Sequence, residues 1–228
     1  MSPRAAILIQ FSVAADAIAE HDDWHTHEHM PERLALPGFL RGTRWTGLRD
    51  SADYCSLYEL DSLEALDSDA YRQRLNNPTP WTSKMVQVCT AMRRTLCTVE
   101  ASSAPCIGGF AAAVTFAATL DRDSDPIRWL MRDVLPNLDA RPGLASWHML
   151  RTTQVAAGPW SGDPVVQSAV VVTAYDADAL TALCGSELGP EQLAARGVDA
   201  NQYTTRLYKL AVAFSRDPVS SAVLMGAR

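Results

Sequence analysis

The sequence predicts an α+β fold built from two tandem β-α-β-β-α-β units in one chain. Three observations carry that prediction. First, Trp24, Pro31 and Pro37-Gly38 return as Trp129, Pro136 and Pro142-Gly143, each 105 positions later. A single matched proline could be chance; a tryptophan, a proline and a Pro-Gly pair in one register is a far stronger coincidence. Second, both halves carry strand-like and helix-like segments in the same order. Third, residues 165–172 are apolar at alternate and intervening positions alike. A strand with one wet face should alternate, so this one should meet helices on one side and a sister sheet on the other.

The elements follow in order. Residues 5–12 are an apolar run suited to a buried strand. Residues 15–35 read as a helix broken near Pro31, because proline lacks the N–H and crowds the preceding turn. Pro37-Gly38 should end it. Residues 40–47 and 53–60 are β-rich and separated by Arg49-Asp50-Ser51-Ala52, a hairpin connection. Asp61-Ser62 offer an N-cap for a helix to about residue 75. Residues 76–80 should be a loop, 82–91 a short helix and 93–100 a strand. The order is the ferredoxin-like split unit. In the second half the strands fall near 110–119, 144–151, 165–174 and 204–214, with helices near 126–139 and 176–195. Glu64-Ala65-Leu66 resembles Asp178-Ala179-Leu180 at an offset of 114. The extra residues suit the turn-rich stretch 156–164, a longer hairpin loop. The units are therefore 1–104, which contains a histidine cluster, and 105–216, a degenerate copy. Residues 101–105 act as linker and 217–228 as a loose tail.

With 228 residues, 47% hydrophobic and 20% charged, the chain has ordinary globular composition. A net charge of −6, with no run of Lys and Arg, argues against nucleic acid as partner. No stretch approaches the ~20 apolar residues of a membrane span, and the N-terminal apolar run is too short for a secretory signal. Five scattered cysteines without a CxxC suggest reduced thiols and a cytoplasmic location.

The segment Trp24-His25-Thr26-His27-Glu28-His29-Met30-Pro31-Glu32-Arg33-Leu34, followed by Pro37-Gly38-Phe39, resembles the dimeric α/β-barrel superfamily, most of all EthD-type proteins. His29-Met30-Pro31 matches their His-x-Pro core, while His25 stands where an aromatic residue is usual. The resemblance implies two ferredoxin-like sheets packed face to face, here from one chain: an intrachain pseudo-dimeric α/β barrel. It also implies a pocket between sheet and helices. The superfamily spans several chemistries, so fold analogy does not choose one.

Four of the five histidines lie between His21 and His29, and His21, His25 and His29 are spaced i, i+4, i+8. Ile18, His25, His29 and Leu36 fall on one arc that should face the sheet. Imidazoles on such an arc suit general acid–base chemistry near neutral pH. His29 is the candidate acid/base, with His25 assisting and Glu32 as the partner that fixes its tautomer. Trp24, Arg33, Tyr54 and Tyr58 are candidate substrate-binding residues, although the residues by themselves favour core packing for Trp24 and for the Tyr54, Ser56, Tyr58 strand face. Arg41 and Arg44 are further anion-holding candidates, and His148 reads as structural.

The best reading is a cofactor-independent enzyme moving a proton in a decarboxylation, isomerisation or dehydration of a small molecule of aromatic or polyketide-like type. A non-catalytic ligand-binding or stress-related protein is the alternative. A metal site at His21 and His25 with Asp22 or Glu32, or a haem on one histidine, is the third; HExxH is absent. A homodimer of pseudo-dimers is one assembly open to the chain. Aligned at the 105 offset, His25 and His29 correspond to Leu130 and Val134. One polar site per chain is therefore expected, in the first half.

Overall fold

A computed structural model of the chain describes residues 2–103, 106–117, 125–155 and 168–216. The expected loop at 156–164, the tail at 217–228, part of the linker and the start of the 165–174 strand lie outside these. The described residues hold eight strands in one closed antiparallel barrel. They are β1 (Ala5–Val13), β2 (Phe39–Gly47), β3 (Asp53–Leu60), β4 (Cys89–Ser102), β5 (Phe110–Phe116), β6 (Leu144–Val155), β7 (Ser168–Ala174) and β8 (Tyr203–Ser215). Round the barrel the order is β1-β3-β2-β8-β5-β7-β6-β4. The first four strands thus run β4-β1-β3-β2 and the last four β8-β5-β7-β6. The pairs β2·β8 and β4·β6 join the two sets. Closure leaves no open sheet edge.

Every strand contributes to the barrel interior. Ala6, Leu8, Trp45, Cys55, Leu57, Cys97, Ala111, Ala113, Leu150, Ala169, Val171 and Tyr208 form one buried cluster there. β7 shows why its sequence is apolar throughout. Ala169 and Val171 point into the barrel, while Val170 and Val172 point out under the helices of the second half.

The first helix does not break at Pro31. It runs as α1 (Ile18–Trp24), a π-helical turn (His25–His29) and α2 (Met30–Leu34). The Met30 N–H donates to the His25 carbonyl, five residues back. The wider turn relieves the crowding that the proline ring would cause in a regular helix, so the chain continues through it. The second half does the same. In sequence come α5 (Asp125–Trp129), a π-helical turn (Leu130–Val134) and α6 (Leu135–Leu138), with Leu135 N–H donating to Leu130 O. Each π turn begins one residue after Trp24 or Trp129 and ends two before Pro31 or Pro136.

Further along, residues 63–67 form a 3₁₀ turn, and the N-cap of α3 (Asp69–Asn76) is Ser68, whose hydroxyl accepts from Tyr71 N–H at 3.2 Å. Ser62, the expected cap, makes no such bond. The next helix, α4 (Pro80–Met85), starts earlier than expected because Thr79 caps it and Pro80 fits its first position. A single helix expected at 176–195 is two, α7 (Ala177–Gly185) and α8 (Pro190–Ala194), interrupted before Gly189-Pro190.

The repeated Pro-Gly and Ala-Leu motifs meet in space. Gly38 has φ +86°, and a Cβ there would lie 2.4 Å from the Cβ of Ala65. Gly143 has φ +90°, and its Cβ would lie 2.3 Å from that of Ala179. Only glycine takes this conformation freely and lets the following helix come so close. Gly143→Ala should therefore destabilise the protein by roughly 1–3 kcal/mol. A urea-unfolding midpoint equal to that of wild type would contradict this.

The outer faces of the two strand sets are filled differently. Beside β5, β6 and β7 one continuous cluster includes Leu130, Val134, Leu135, Val170, Val172 and Leu183. Beside β1, β2 and β3 the apolar packing splits in two. One cluster holds Ile7, Met30, Phe39, Tyr58 and Tyr71, the other Phe11, Val13 and Tyr54. Among the described residues no helix is long and apolar enough to cross a membrane.

Candidate functional site

Between those two clusters lies a cavity of about 410 Å³. Its floor is the outward face of β1, β3 and β4, with Ile7, Ile9, Phe11, Ser56 and Tyr58. Its roof is the first helix, which contributes His21, Trp24, His25, His29 and Arg33. α3 and α4 close the sides with Tyr71, Arg74 and Thr82. The volume is that of a small-molecule site.

The π turn shapes the roof. Widening the helix brings residues four apart closer to eclipsed, so the imidazoles line up in a row, each tilted against the next. Ring centroids are 5.5 Å apart for His21 and His25 and 5.3 Å for His25 and His29, and the Trp24 ring lies 4.6 Å from His29. His27 faces outward, its Nδ1 3.0 Å from the Asp23 carbonyl. Buried Arg44 ties this helix to the sheet by donating to Asp22 O at 3.2 Å and Thr26 Oγ1 at 3.1 Å.

Of the expected site residues, His25, His29, Trp24, Arg33 and Tyr58 line the cavity. Tyr54 stands behind the lining. It is buried, stacks on Phe11 at 5.3 Å and meets His21 edge-on at 4.7 Å. Glu32 is not brought to His29, since its carboxylate accepts from Arg74 at 3.1 Å near the surface. Glu28 does the organising instead. Its Oε1 accepts from Trp24 Nε1 at 3.2 Å, Thr79 Oγ1 at 2.6 Å and Thr82 Oγ1 at 3.1 Å, clamping Trp24 and α4 to the π turn. Of the other arginines considered, Arg41 pairs with Glu59, which also meets His148 Nε2 at 2.9 Å. Trp129, matched to buried Trp24, is only partly buried and carries the Arg196 guanidinium 3.7 Å above its ring.

Six buried polar atoms on lining side chains have no hydrogen-bond partner among the described residues: His21 Nε2, His25 Nδ1, His29 Nδ1, Arg33 Nη1, Ser56 Oγ and Tyr58 OH. Each such atom costs about 1–3 kcal/mol if left unmet. Their concentration around one cavity makes it the candidate functional site. Burial holds the His25 imidazole well below its ordinary pKa, helped by repulsion from His29 whenever that ring is protonated and from Arg44 and neighbours. Burial does the same for His29, with Arg33 and His21 adding to it. Both rings are therefore neutral at pH 7 and able to accept a proton. Cys89 also lines the cavity, but burial pushes its thiol up to about 11, so it is no thiolate nucleophile. Among the described residues no three His, Cys, Asp or Glu side chains come together as metal ligands.

These depressed pKa values set a pH dependence of stability. Below about pH 6.5 the unfolded chain binds protons at His25 and His29 that the folded protein refuses. Stability is then unaffected above that pH and falls as the pH drops below it, by up to about 1.4 kcal/mol per pH unit for each imidazole. Urea titrations at pH 7.5, 6.0 and 5.0 should show this loss, and His25→Leu should reduce its slope. An unchanged slope would contradict the buried, neutral state of His25.

No protein-family model matches the chain, and no curated protein matches it in sequence. Solved structures do match it in fold. An anthrone oxidase-like protein superposes with a TM-score of 0.69 at 14% identity, covering 94% of both chains. A protein described as a candidate monooxygenase from Fusobacterium nucleatum gives 0.64 at 8% identity, covering 94% of this chain and 95% of its own. One similarly described, from Lactobacillus acidophilus NCFM, gives 0.62 at 9%, covering 93% and 97%. At such identities the likeness is one of fold: the ferredoxin-like α+β barrel. It does not single out EthD-type proteins.

Proposed function

We infer that this protein is a cofactor-independent enzyme that moves a proton on a small, largely aromatic molecule held between the first helix and the outer face of β1, β3 and β4. The observation that carries this reading is the pair His25 and His29, two neutral imidazoles whose Nδ1 atoms meet no partner among the described residues, over a largely apolar cavity. His29 is the acid/base, and Trp24, Arg33 and Tyr58 hold the substrate. His25, more deeply buried, packs its ring beside that of His29, and Tyr54 supports His21 from behind. Glu32 does not serve His29 in this reading; Glu28 organises the roof instead. The His29-Met30-Pro31 signature, which resembles that of EthD-type proteins, lies in this roof. We further read the chain as a fused pair of ferredoxin-like units, supported by the 105-residue offset, the matching strand orders and the two π turns at equivalent places. In that pair the first unit keeps the site and the second fills it.

A neutral imidazole accepts a proton from an acidified carbon and leaves an enolate or phenolate. That anion can be reprotonated at another carbon, lose a leaving group, or react with O₂. Proton removal is common to all three, so exchange tests it directly. Anthrone is a suitable probe, given the anthrone oxidase-like structure that shares this fold. In D₂O under nitrogen, the protein should accelerate the loss of the C10–H signal in the NMR spectrum. Anthrone bound without accelerated exchange would favour the non-catalytic ligand-binding reading.

A further inference from the structure

We propose that the molecule bound in this cavity is an amphipathic anion, an apolar ring system bearing one carboxylate, and that Arg33 is the residue that receives the carboxylate. The proposal rests on the functional reading above and narrows it.

The charge of the lining points to it. Among the described residues the cavity is lined by three arginines, Arg33, Arg74 and Arg94, and by no aspartate or glutamate. The whole chain carries −6, so this positive excess is local and runs against the global balance. Two of the three guanidinium groups have partners. Arg74 Nη1 donates to Glu32 Oε1 at 3.1 Å, and Arg94 Nη2 donates to the Tyr71 hydroxyl at 2.9 Å. Arg33 has its guanidinium 5.7 Å over the face of Tyr71 while its buried Nη1 meets no acceptor. An arginine cannot relieve burial by losing its proton. Arg33 is partly buried, and its inward Nη1 carries positive charge without a counter-charge, which the aromatic face compensates only in part. A carboxylate supplies what is absent: negative charge and two coplanar acceptors that match the guanidinium fork.

The rest of the ligand follows from the walls. Ile7, Ile9, Phe11, Phe39, Val86 and Met92 present carbon to the cavity, so the body of the ligand is apolar. Arg33 lies four residues after His29 on the same helix, so an anion on Arg33 extends its body along the imidazole row. A carboxylate paired with a fixed cation is stabilised before any reaction, and losing it as CO₂ would move the charge away from that cation. Such a group is a handle rather than a leaving group, because stabilising the ground state opposes the step. Of the three chemistries considered, isomerisation and dehydration fit this arrangement and decarboxylation does not.

Two fluorescent probes of one shape test it: anthracene-9-carboxylate and anthracene-9-carboxamide. Wild-type protein should bind the carboxylate about 10- to 100-fold more tightly than the amide. Arg33→Gln should erase that preference while leaving amide affinity unchanged, and Arg33→Lys should restore part of it. The wild-type comparison needs no variant, so a poorly folding Arg33→Gln protein does not block the test. Equal affinity for the two probes, failure to bind either, or a preference that survives Arg33→Gln would overturn the proposal. Equal affinity alongside His29-dependent anthrone exchange would remove only the anion assignment. A clear carboxylate preference without any exchange would keep the anion and remove the catalysis.

Discussion

Replacing His29 by glutamine should lower the rate of proton exchange by on the order of 10²–10⁴-fold, the usual contribution of a positioned acid/base. Glutamine keeps a polar side chain of similar reach over the cavity but cannot take up the proton. The loss should appear in kcat, because the abstraction happens only in the transition state. The pH profile gives an independent signature. Burial and the charges of Arg33 and His21 hold the His29 pKa well below its ordinary value. The rate should therefore be flat from pH 7 upward and decline on the acid side, with its inflection below about 6.5, the value for an unperturbed imidazole. Val134→Ala, at the matching place in the second π turn, should leave the rate unchanged. Full activity in His29→Gln, or an inflection at the ordinary imidazole value, would remove His29 from the chemistry.

The succession of strands along the chain was legible because burial leaves a regular trace. β7 is apolar on both sides since both are buried, and the paired Pro-Gly positions are kept because no other residue fits against Ala65 or Ala179. The helix through Pro31 was not legible, because proline usually ends a helix and nothing local in the sequence announces a π turn. That turn also explains the partner of His29. On an ideal helix Glu32 sits one turn below it, but in the folded chain Arg74 draws Glu32 toward the surface. On an ideal helix Glu28 points away from His29, and its true partners Thr79 and Thr82 lie some fifty residues away at the start of α4. Its spacing of four from Trp24 was the one local hint. Tyr71 and Arg94, which complete the arginine-lined wall, sit on an amphipathic helix and a half-exposed strand, where neither stands out.

Opposite effects on stability should follow from changing the two equivalent first positions of the π turns. Leu130→Ala should destabilise the protein by about 2–5 kcal/mol. Leu130 is fully buried in the continuous cluster under the second set of helices, and removing its branched end leaves a hole that close-packed neighbours cannot fill. His25→Leu should instead hold or raise stability at neutral pH, by up to roughly 1–3 kcal/mol. His25 is 4% exposed and its Nδ1 has no partner, so the native side chain keeps an unmet polar group in the interior. Leucine, the residue the second half already uses at this place, has none. The gain should grow as the pH falls below about 6.5, where the unfolded wild-type chain takes up a proton at this position and the folded one does not. Exchange activity should move the other way: lowered by His25→Leu, unaffected by Leu130→Ala at a temperature where that variant is folded. A polar group kept at an energetic disadvantage is expected where function requires it. The comparison is made by urea unfolding of both variants at pH 7.5 and 5.5, with exchange rates measured on the same samples. If His25→Leu is as destabilising as Leu130→Ala, the imidazole is an integral part of the packing, and the inequality of the two halves has a purely structural origin.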